Sequence, residues 1–511
     1  MSNLANNLHL IQGNIFGGFN KDFQDFIFLK FKSASAGRAW IARLASDDFD
    51  PGVAGSNSAE VLNFNGQFKA LLAQGLEPEK YLAASWANVG LTFAGLKALG
   101  IKSADLDLFP EEFKEGMAAR ADLLGDRDSS APDKWNVPFK NLDDVHALLI
   151  VAADSDALLK ARVDAIKDDS TFAPGVDILG VVCGRARLGE ASGHEHFGFK
   201  DGVSQPGIRG VTPPSDPIGN PNQGQPGQDL LWPGEFVLGY PTQIDHADPN
   251  VDGPNPNAGP LSVAKPAWTS NGSYLVFRRL EQDVPNFESH VRELALANNI
   301  SAELMGARLV GRYKSGCPLE MRSFAPDLAT GSGGDPGLAN PQLTDNDNFN
   351  NNFEFGEDAD GEICPLAAHI RKAYPRDEQT TSKAADSESI TQTHRILRRG
   401  IAYGGSIGDK VNGKVSDPRG LVFVCYQRSI KDQFEFIQTH WVNEETFPLF
   451  PSSRPTPGVD PIIAQNAKGS FQVGKSAAAI TVKHFVRTDG GAYFLAPSIA
   501  ALQDIGAGKH S

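Results

Sequence analysis

Three short stretches of the 511-residue chain carry side chains able to move a proton, bind a metal or hold an anion. The first is Glu195-His196-Phe197-Gly198-Phe199-Lys200-Asp201-Gly202-Val203-Ser204-Gln205-Pro206. Asp201 is a carboxylate between Gly198 and Gly202, and such glycines let a backbone turn tightly and approach a ligand closely. In a chain with 52 glycines, an Asp in a β-turn accounts for this segment equally well. The second stretch is Cys364-Pro365-Leu366-Ala367-Ala368-His369-Ile370-Arg371-Lys372-Ala373-Tyr374-Pro375-Arg376. Its pattern predicts a helix with Pro365 in the first turn and an end before Pro375, which places His369 mid-helix. Small neighbours would let a flat cofactor lie against that face. A lone helical histidine is more often a hydrogen-bonded structural residue than a metal ligand. The third stretch, His394-Arg395-Ile396-Leu397-Arg398-Arg399-Gly400, holds three arginines. They coat a solvated surface, or one of them points inward as a charge clamp.

Elements able to position these stretches are legible around them. Phe26–Phe31 reads as a strand, followed by a helical pattern over Gly37–Leu44 with Trp40, Ile41 and Leu44 on one face. Asn88–Phe93 reads as a strand running into a helix, Ala94–Leu99, that stops at Gly100. Val145–Val151 reads as a buried strand before a helix from Ser155 to Ile166. After a Pro/Gly/Asn-rich stretch, 213–266, the pattern restarts. A strand at Tyr274–Arg279 precedes a helix at Asn286–Ala297, and further strands lie at Leu421–Tyr426 and Ala492–Leu495. Alternating strands and helices imply α+β halves joined by an irregular linker. The segment 330–361 contains Asp345-Asn346-Asp347-Asn348, but Asn350 stands where a calcium loop needs glycine, so a solvated loop is expected.

Composition narrows the classes. Hydrophobic residues make up 41% and charged residues 21%, ordinary for a globular protein. The net charge of −15 disfavours nucleic acid and anionic membranes as partners, because phosphate binding needs clustered Lys and Arg. No stretch approaches the ~18 apolar residues of a membrane span. The opening residues show no basic region followed by an apolar run, so no secretory signal is expected in this chain. That leaves cytoplasmic action, unconventional export or a signal removed earlier. Cys183, Cys317, Cys364 and Cys425 form no CxxC pair, and four buried thiols are expected.

Jointly, and in this order, the three stretches resemble the dye-decolorizing peroxidase family. Gly198-Phe199-Lys200-Asp201-Gly202 is similar to its GxxDG motif. The segment around His369 is similar to its proximal-histidine motif, and Leu397-Arg398-Arg399-Gly400 to its distal-arginine segment. Ile11-Gln12-Gly13, Val310-Gly311-Arg312, Val424-Cys425-Tyr426-Gln427 and Gly490-Gly491-Ala492-Tyr493-Phe494 extend the likeness from about Ile11 to Leu502. The long inserts at 213–266 and 330–361 resemble the longer, fungal-like branch.

The resemblance implies a fold of two ferredoxin-like α+β domains, over residues 1–230 with the GxxDG motif and 231–511 with the haem. It implies one haem b per chain with His369 as axial ligand, Asp201 as acid–base group and Arg398 as stabilising cation. Leu421 and Phe423 would wall the distal pocket. The implied reaction is reduction of hydrogen peroxide through a ferryl intermediate, with dyes and phenolics as reductants, and the acidic surface allows Mn²⁺ as well. A monomer or homodimer is expected. A partner for the second ring nitrogen of His369 is expected without an assignment. Tyr403, Trp232 and Trp441 are candidates to carry oxidising equivalents to the surface. His194, His196 and His394 are expected to be structural or to bond haem propionates. An Asp base ionises near pH ~3.9 whereas a His base is mostly protonated below ~6.5, so an acidic optimum is expected. Competing readings are a haem carrier, which needs His369 but no carboxylate–arginine pair, a haem-free binding module, and a hydrolase using Asp201 without a GxSxG elbow.

Overall fold

The computed structural model describes residues 4–46, 52–320, 334–405, 418–449, 456–465, 469–473 and 478–510. Strands come in two sets. The first is β1 (Phe23–Phe31), β2 (Ser85–Leu91), β3 (Ala147–Ala153) and β4 (Val176–Arg185), with helices α1 (Ala34–Leu44) and α2 (Asp156–Asp168) between them. The second is β5 (Ser273–Gln282), the two-residue β6 (Leu397–Arg398), β7 (Ile401–Tyr403), β8 (Gly420–Gln427) and β9 (Val486–Ala496). Helices α3 (Val284–Ala297) and α4 (His369–Ala373) lie between β5 and β6.

The first set pairs in the order β4-β1-β3-β2 and the second in the order β9-β5-β8-β7, all antiparallel. This is the same ferredoxin-like order twice. The two sheets then join at β2–β9 and β4–β7 and close into one barrel within a single chain. Each seam is one registered pair, Leu91 with Leu495 and Gly184 with Tyr403. Glycine makes one seam tight: a Cβ on Gly184 would lie 2.4 Å from the Ile401 side chain. Closure removes the unpaired edges that two separate sheets would expose.

Residues that face inward fill the barrel. Phe26 and Phe28 of β1 meet Phe277 of β5 edge-on, with ring centroids 5.4 and 5.1 Å apart. β1 and β5 are not neighbours in the ring, so these contacts cross the lumen. The elements expected in the first half lie within a few residues of those observed, but β4 and the helix Ser58–Ala73 were not among them. Thr92 ends the expected strand early, because its hydroxyl caps the helix Phe93–Ala98 by accepting from the Gly95 amide. Ser155 caps α2 in the same way.

Cys317, Cys364 and Cys425 are buried as expected; Cys183 is exposed, on the outward face of β4, where burial alternates. The segment 336–350 contains three one-turn helices rather than a plain loop, and 330–333 lies outside the described residues. Among the described residues no helix is long and apolar enough to cross a membrane.

Candidate active site

One cavity of about 280 Å³ gathers all five expected residues: Asp201, His369, Arg398, Leu421 and Phe423. Its floor is the outer face of β5 and β8. Strand alternation turns Phe277, Val422 and Val424 into the barrel core and leaves Arg278, Leu280, Leu421 and Phe423 on the cavity side. Register places Leu421 against Leu280 and Phe423 against Arg278.

Asp201 lies on the loop after β4. Two glycines shape that loop, with φ of +94° at Gly198 and +76° at Gly202. Glu195 braces it: its carboxylate accepts from the amides of Phe197 and Phe199, both at 2.8 Å, and from the Gln282 amide. The Gly202 amide donates to Asp201 Oδ1 at 2.7 Å, and Arg398 Nη1 donates to the same oxygen at 2.9 Å. About a third of each side chain, 35% and 34%, is open to the cavity. Burial pushes the Asp201 carboxyl up, but Arg398 and the Gly202 amide outweigh it, and the group is held below the usual carboxylate range.

The three arginines of the third stretch separate. Arg398 faces the cavity, and Gln205 clamps its backbone at both ends, donating to its carbonyl at 3.0 Å and accepting from its amide at 3.3 Å. Arg399 turns away and donates to the carbonyls of Asn14, Ile15 and Phe16. Arg395 lies over the Tyr374 ring and pairs with Asp229 at 3.5 Å.

His369 is the first residue of α4, not a mid-helix residue. Pro365 to Ala368 form a turn closed by the Ala368 amide on the Pro365 carbonyl, and Ala368 has ψ 136°, which no helix accommodates. His369 Nδ1 lies 2.7 Å from Asp460 Oδ2. Asp460 is fully buried, and its other oxygen accepts from the amides of Ile462 and Ile463. Burial lowers the imidazole pKa, but the Asp460 carboxylate outweighs it and the net direction is up. Nε2 is left as the nitrogen available to a ligand in the cavity. Asp460 is the partner of the second ring nitrogen that sequence reading did not assign. It stands 91 residues from His369, and nothing in its local sequence marks it.

Arg371 anchors the helix that carries His369. It is fully buried, grips Glu378 with two bonds of 2.7 and 2.9 Å, and reaches Asp358 at 3.0 Å. Arg371→Met is expected to destabilise the fold by about 3–5 kcal/mol, because it strands buried carboxylates. Chemical denaturation followed by circular dichroism measures this, and a loss below about 1 kcal/mol would refute the anchoring role.

The remaining histidines and aromatics divide by burial. His196 bonds the Tyr403 carbonyl at 2.8 Å, and burial lowers its pKa to about 4. His194 Nδ1 bonds the Ser192 carbonyl. His394 bonds the Asp432 carbonyl and stacks on Phe436 at 3.7 Å. Tyr403 and Trp441 are buried to 3% exposure, so neither is a surface residue; Trp232 is half-buried.

The side chains fit a haem. An imidazole nitrogen is available, much of the wall is apolar, and a buried cation lines the cavity. Arg312 is enclosed there, its bonds go to the carbonyls of Gly316 and Asn350, and burial pulls its pKa down to about 9. Among the described residues no carboxylate pairs with this guanidinium, and a planar apolar group bearing carboxylates would supply that anion.

Comparison with known proteins agrees. The family model described as "DyP dimeric alpha+beta barrel domain" matches residues 10–187, and "Dyp-type peroxidase, C-terminal" matches 250–447. Dye-decolorizing peroxidase msp1 of Mycetinis scorodonius is 30% identical over 98% of this chain and 87% of its own length. Dye-decolorizing peroxidase AauDyP1 of Auricularia auricula-judae is 31% identical over 96% and 85%. Among solved structures, an ancestral D-type dye decolorizing peroxidase superposes with a TM-score of 0.75 at 34% identity, covering 98% of this chain and 99% of that one. The chain belongs to the dye-decolorizing peroxidase family, haem-dependent enzymes that act on hydrogen peroxide.

Proposed function

We propose that one haem b per chain occupies the cavity, held by His369 Nε2, and that Asp201 and Arg398 activate hydrogen peroxide for the oxidation of dyes and phenols. The observation that carries this reading is the direct bond between Arg398 and Asp201 in the cavity that His369, bonded from behind by Asp460, also lines. When bound, haem supplies the iron centre that takes oxidising equivalents from peroxide. The chain's own residues handle protons and charge. Asp201, kept ionised, accepts the proton of incoming peroxide and returns it to the leaving oxygen. The Arg398 guanidinium fixes Asp201 in place and offsets negative charge on the departing oxygen. Asp460 accepts from Nδ1, which fixes the His369 tautomer and strengthens Nε2 as a donor. Arg312 holds a haem carboxylate, while Leu421 and Phe423 keep water from the reacting face.

The test is the visible spectrum of the purified, haem-loaded protein before and after one equivalent of hydrogen peroxide. A Soret band that shifts within the mixing time and returns on adding a dye supports the reading. A Soret band indifferent to peroxide makes the protein a haem carrier.

The pH dependence follows from the direction of the Asp201 shift. A carboxyl held low is ionised, and fit to accept a proton, until pH falls through its depressed folded value. The rate of peroxide activation is therefore expected to hold through pH ~4 and to fall only below it. Arg398→Leu removes the main force opposing burial, so the acid limb of that variant moves to higher pH. Stopped-flow rates across pH read both limbs. An unmoved limb would mean that another group sets it.

A further inference from the structure

We propose that Tyr374 is a one-electron donor in the cavity wall and that Asp229 is the base that takes its proton. This rests on the haem placement above. Among the described residues, Tyr374 is the only Tyr or Trp that lines the cavity. Its hydroxyl donates to Asp229 Oδ2 at 2.6 Å. Gln392 Nε2 donates to the same carboxylate oxygen at 2.9 Å and lies 3.1 Å from the phenol oxygen, which fixes the angle between the two groups.

Geometry here separates a redox role from plain packing. Removing an electron from a phenol without its proton leaves a cation in a poorly solvated wall, which is costly. A carboxylate at hydrogen-bond distance removes that cost by taking the proton in the same step. Two guanidiniums face the ring, Arg395 at 3.6 Å and Arg376 at 5.2 Å from its centroid. Alone they would oppose electron loss. Asp229 offsets Arg395, pairing with it at 3.5 Å. The side chain of Asp229 is 21% exposed, so the base has a face toward water.

The phenol O–H bond breaks, the proton moves to Asp229 Oδ2, and the electron goes to the peroxide-oxidised cofactor. A neutral phenoxyl radical remains in the wall. A dye or phenol then gives up one electron to it, and Asp229 returns the proton. The buried aromatics expected from sequence lack these features. Among the described residues Tyr403 Oη bonds no carboxylate, and Arg279 sits 4.8 Å from its ring centroid.

The test is rapid-freeze electron paramagnetic resonance of the haem-loaded protein after one equivalent of hydrogen peroxide, with the Soret response read on the same samples. The expected signal is a tyrosyl radical that narrows when the protein is made with ring-deuterated tyrosine. It is expected to vanish in Tyr374→Phe, to fall about ten-fold or more in Asp229→Asn, and to persist in Tyr403→Phe. A Soret response with no tyrosyl signal, or with a signal that survives Tyr374→Phe, overturns the assignment of Tyr374 alone. A signal unchanged in Asp229→Asn overturns the role of Asp229. No Soret response in the unmutated protein overturns the peroxidase reading, and this one with it.

Discussion

Asp201→Asn is expected to slow the reaction of the haem-loaded protein with hydrogen peroxide by about 10²- to 10⁴-fold. The substitution keeps the shape of the side chain, and its amide oxygen can still accept from Arg398 Nη1 and the Gly202 amide. What it removes is the capacity to accept a proton. Arg398→Leu is expected to slow the same step by about 10²- to 10³-fold, the loss typical of one preorganised donor to a developing negative charge. Arg398 does two things, so its variant carries a second signature. Without it, Asp201 loses the cation that holds its carboxyl low and leans toward the protonated form. The two residues act as a unit, and the double variant should be little slower than the slower single variant. Stopped-flow absorbance at the Soret band measures all three. A double variant slower by the product of the single effects would mean that the groups serve separate steps. An Asp201→Asn protein that reacts at the unmutated rate would remove Asp201 from the chemistry, whatever its place in the cavity.

The types of residue needed for this chemistry were legible in the sequence, and their arrangement was legible only in part. Asp201 stood out because two glycines flank it, and both do adopt positive φ. The α+β halves were legible because strand and helix periods alternate, and caps such as Ser155 leave a local signal. Three features were not legible, each because tertiary contacts decide it. The start of α4 was misplaced by several residues, since propensity cannot foresee the turn at Pro365–Ala368. The direction of each arginine depends on what lies across from it: Asn14 to Phe16 for Arg399, Asp229 for Arg395 and Asp201 for Arg398. Closure of the two sheets into one barrel depends on single-pair seams, which give no periodic signal. The partners that tune the site are remote for the same reason. Asp460 and Asp229 lie 91 and 145 residues from the groups they bond.

The His369–Asp460 pair carries the second large effect. Among the described residues, His369→Ala removes the only imidazole on the cavity wall besides His394, whose Nδ1 is tied to the Asp432 carbonyl. Haem is then expected to bind only through the apolar wall and Arg312. The Soret absorbance per protein should collapse on gel filtration, and added imidazole should restore part of it. Asp460→Asn is the finer probe. The amide matches the carboxylate in shape and can still accept from the amides of Ile462 and Ile463, so the loop keeps its form. The full negative charge behind Nδ1 is lost. The expected loss in haem affinity or peroxide reactivity is about 10- to 100-fold, the range typical for such partners of a metal-bound histidine. The iron reduction potential should rise, because a weaker donor stabilises the ferric state less. If Asp460→Asn leaves that potential in place while His369→Ala abolishes retention, Asp460 only orients the ring and its charge does no electronic work. A rise in potential with an intact far-ultraviolet spectrum assigns the effect to charge, since a merely loosened loop would weaken binding without moving the potential in that direction.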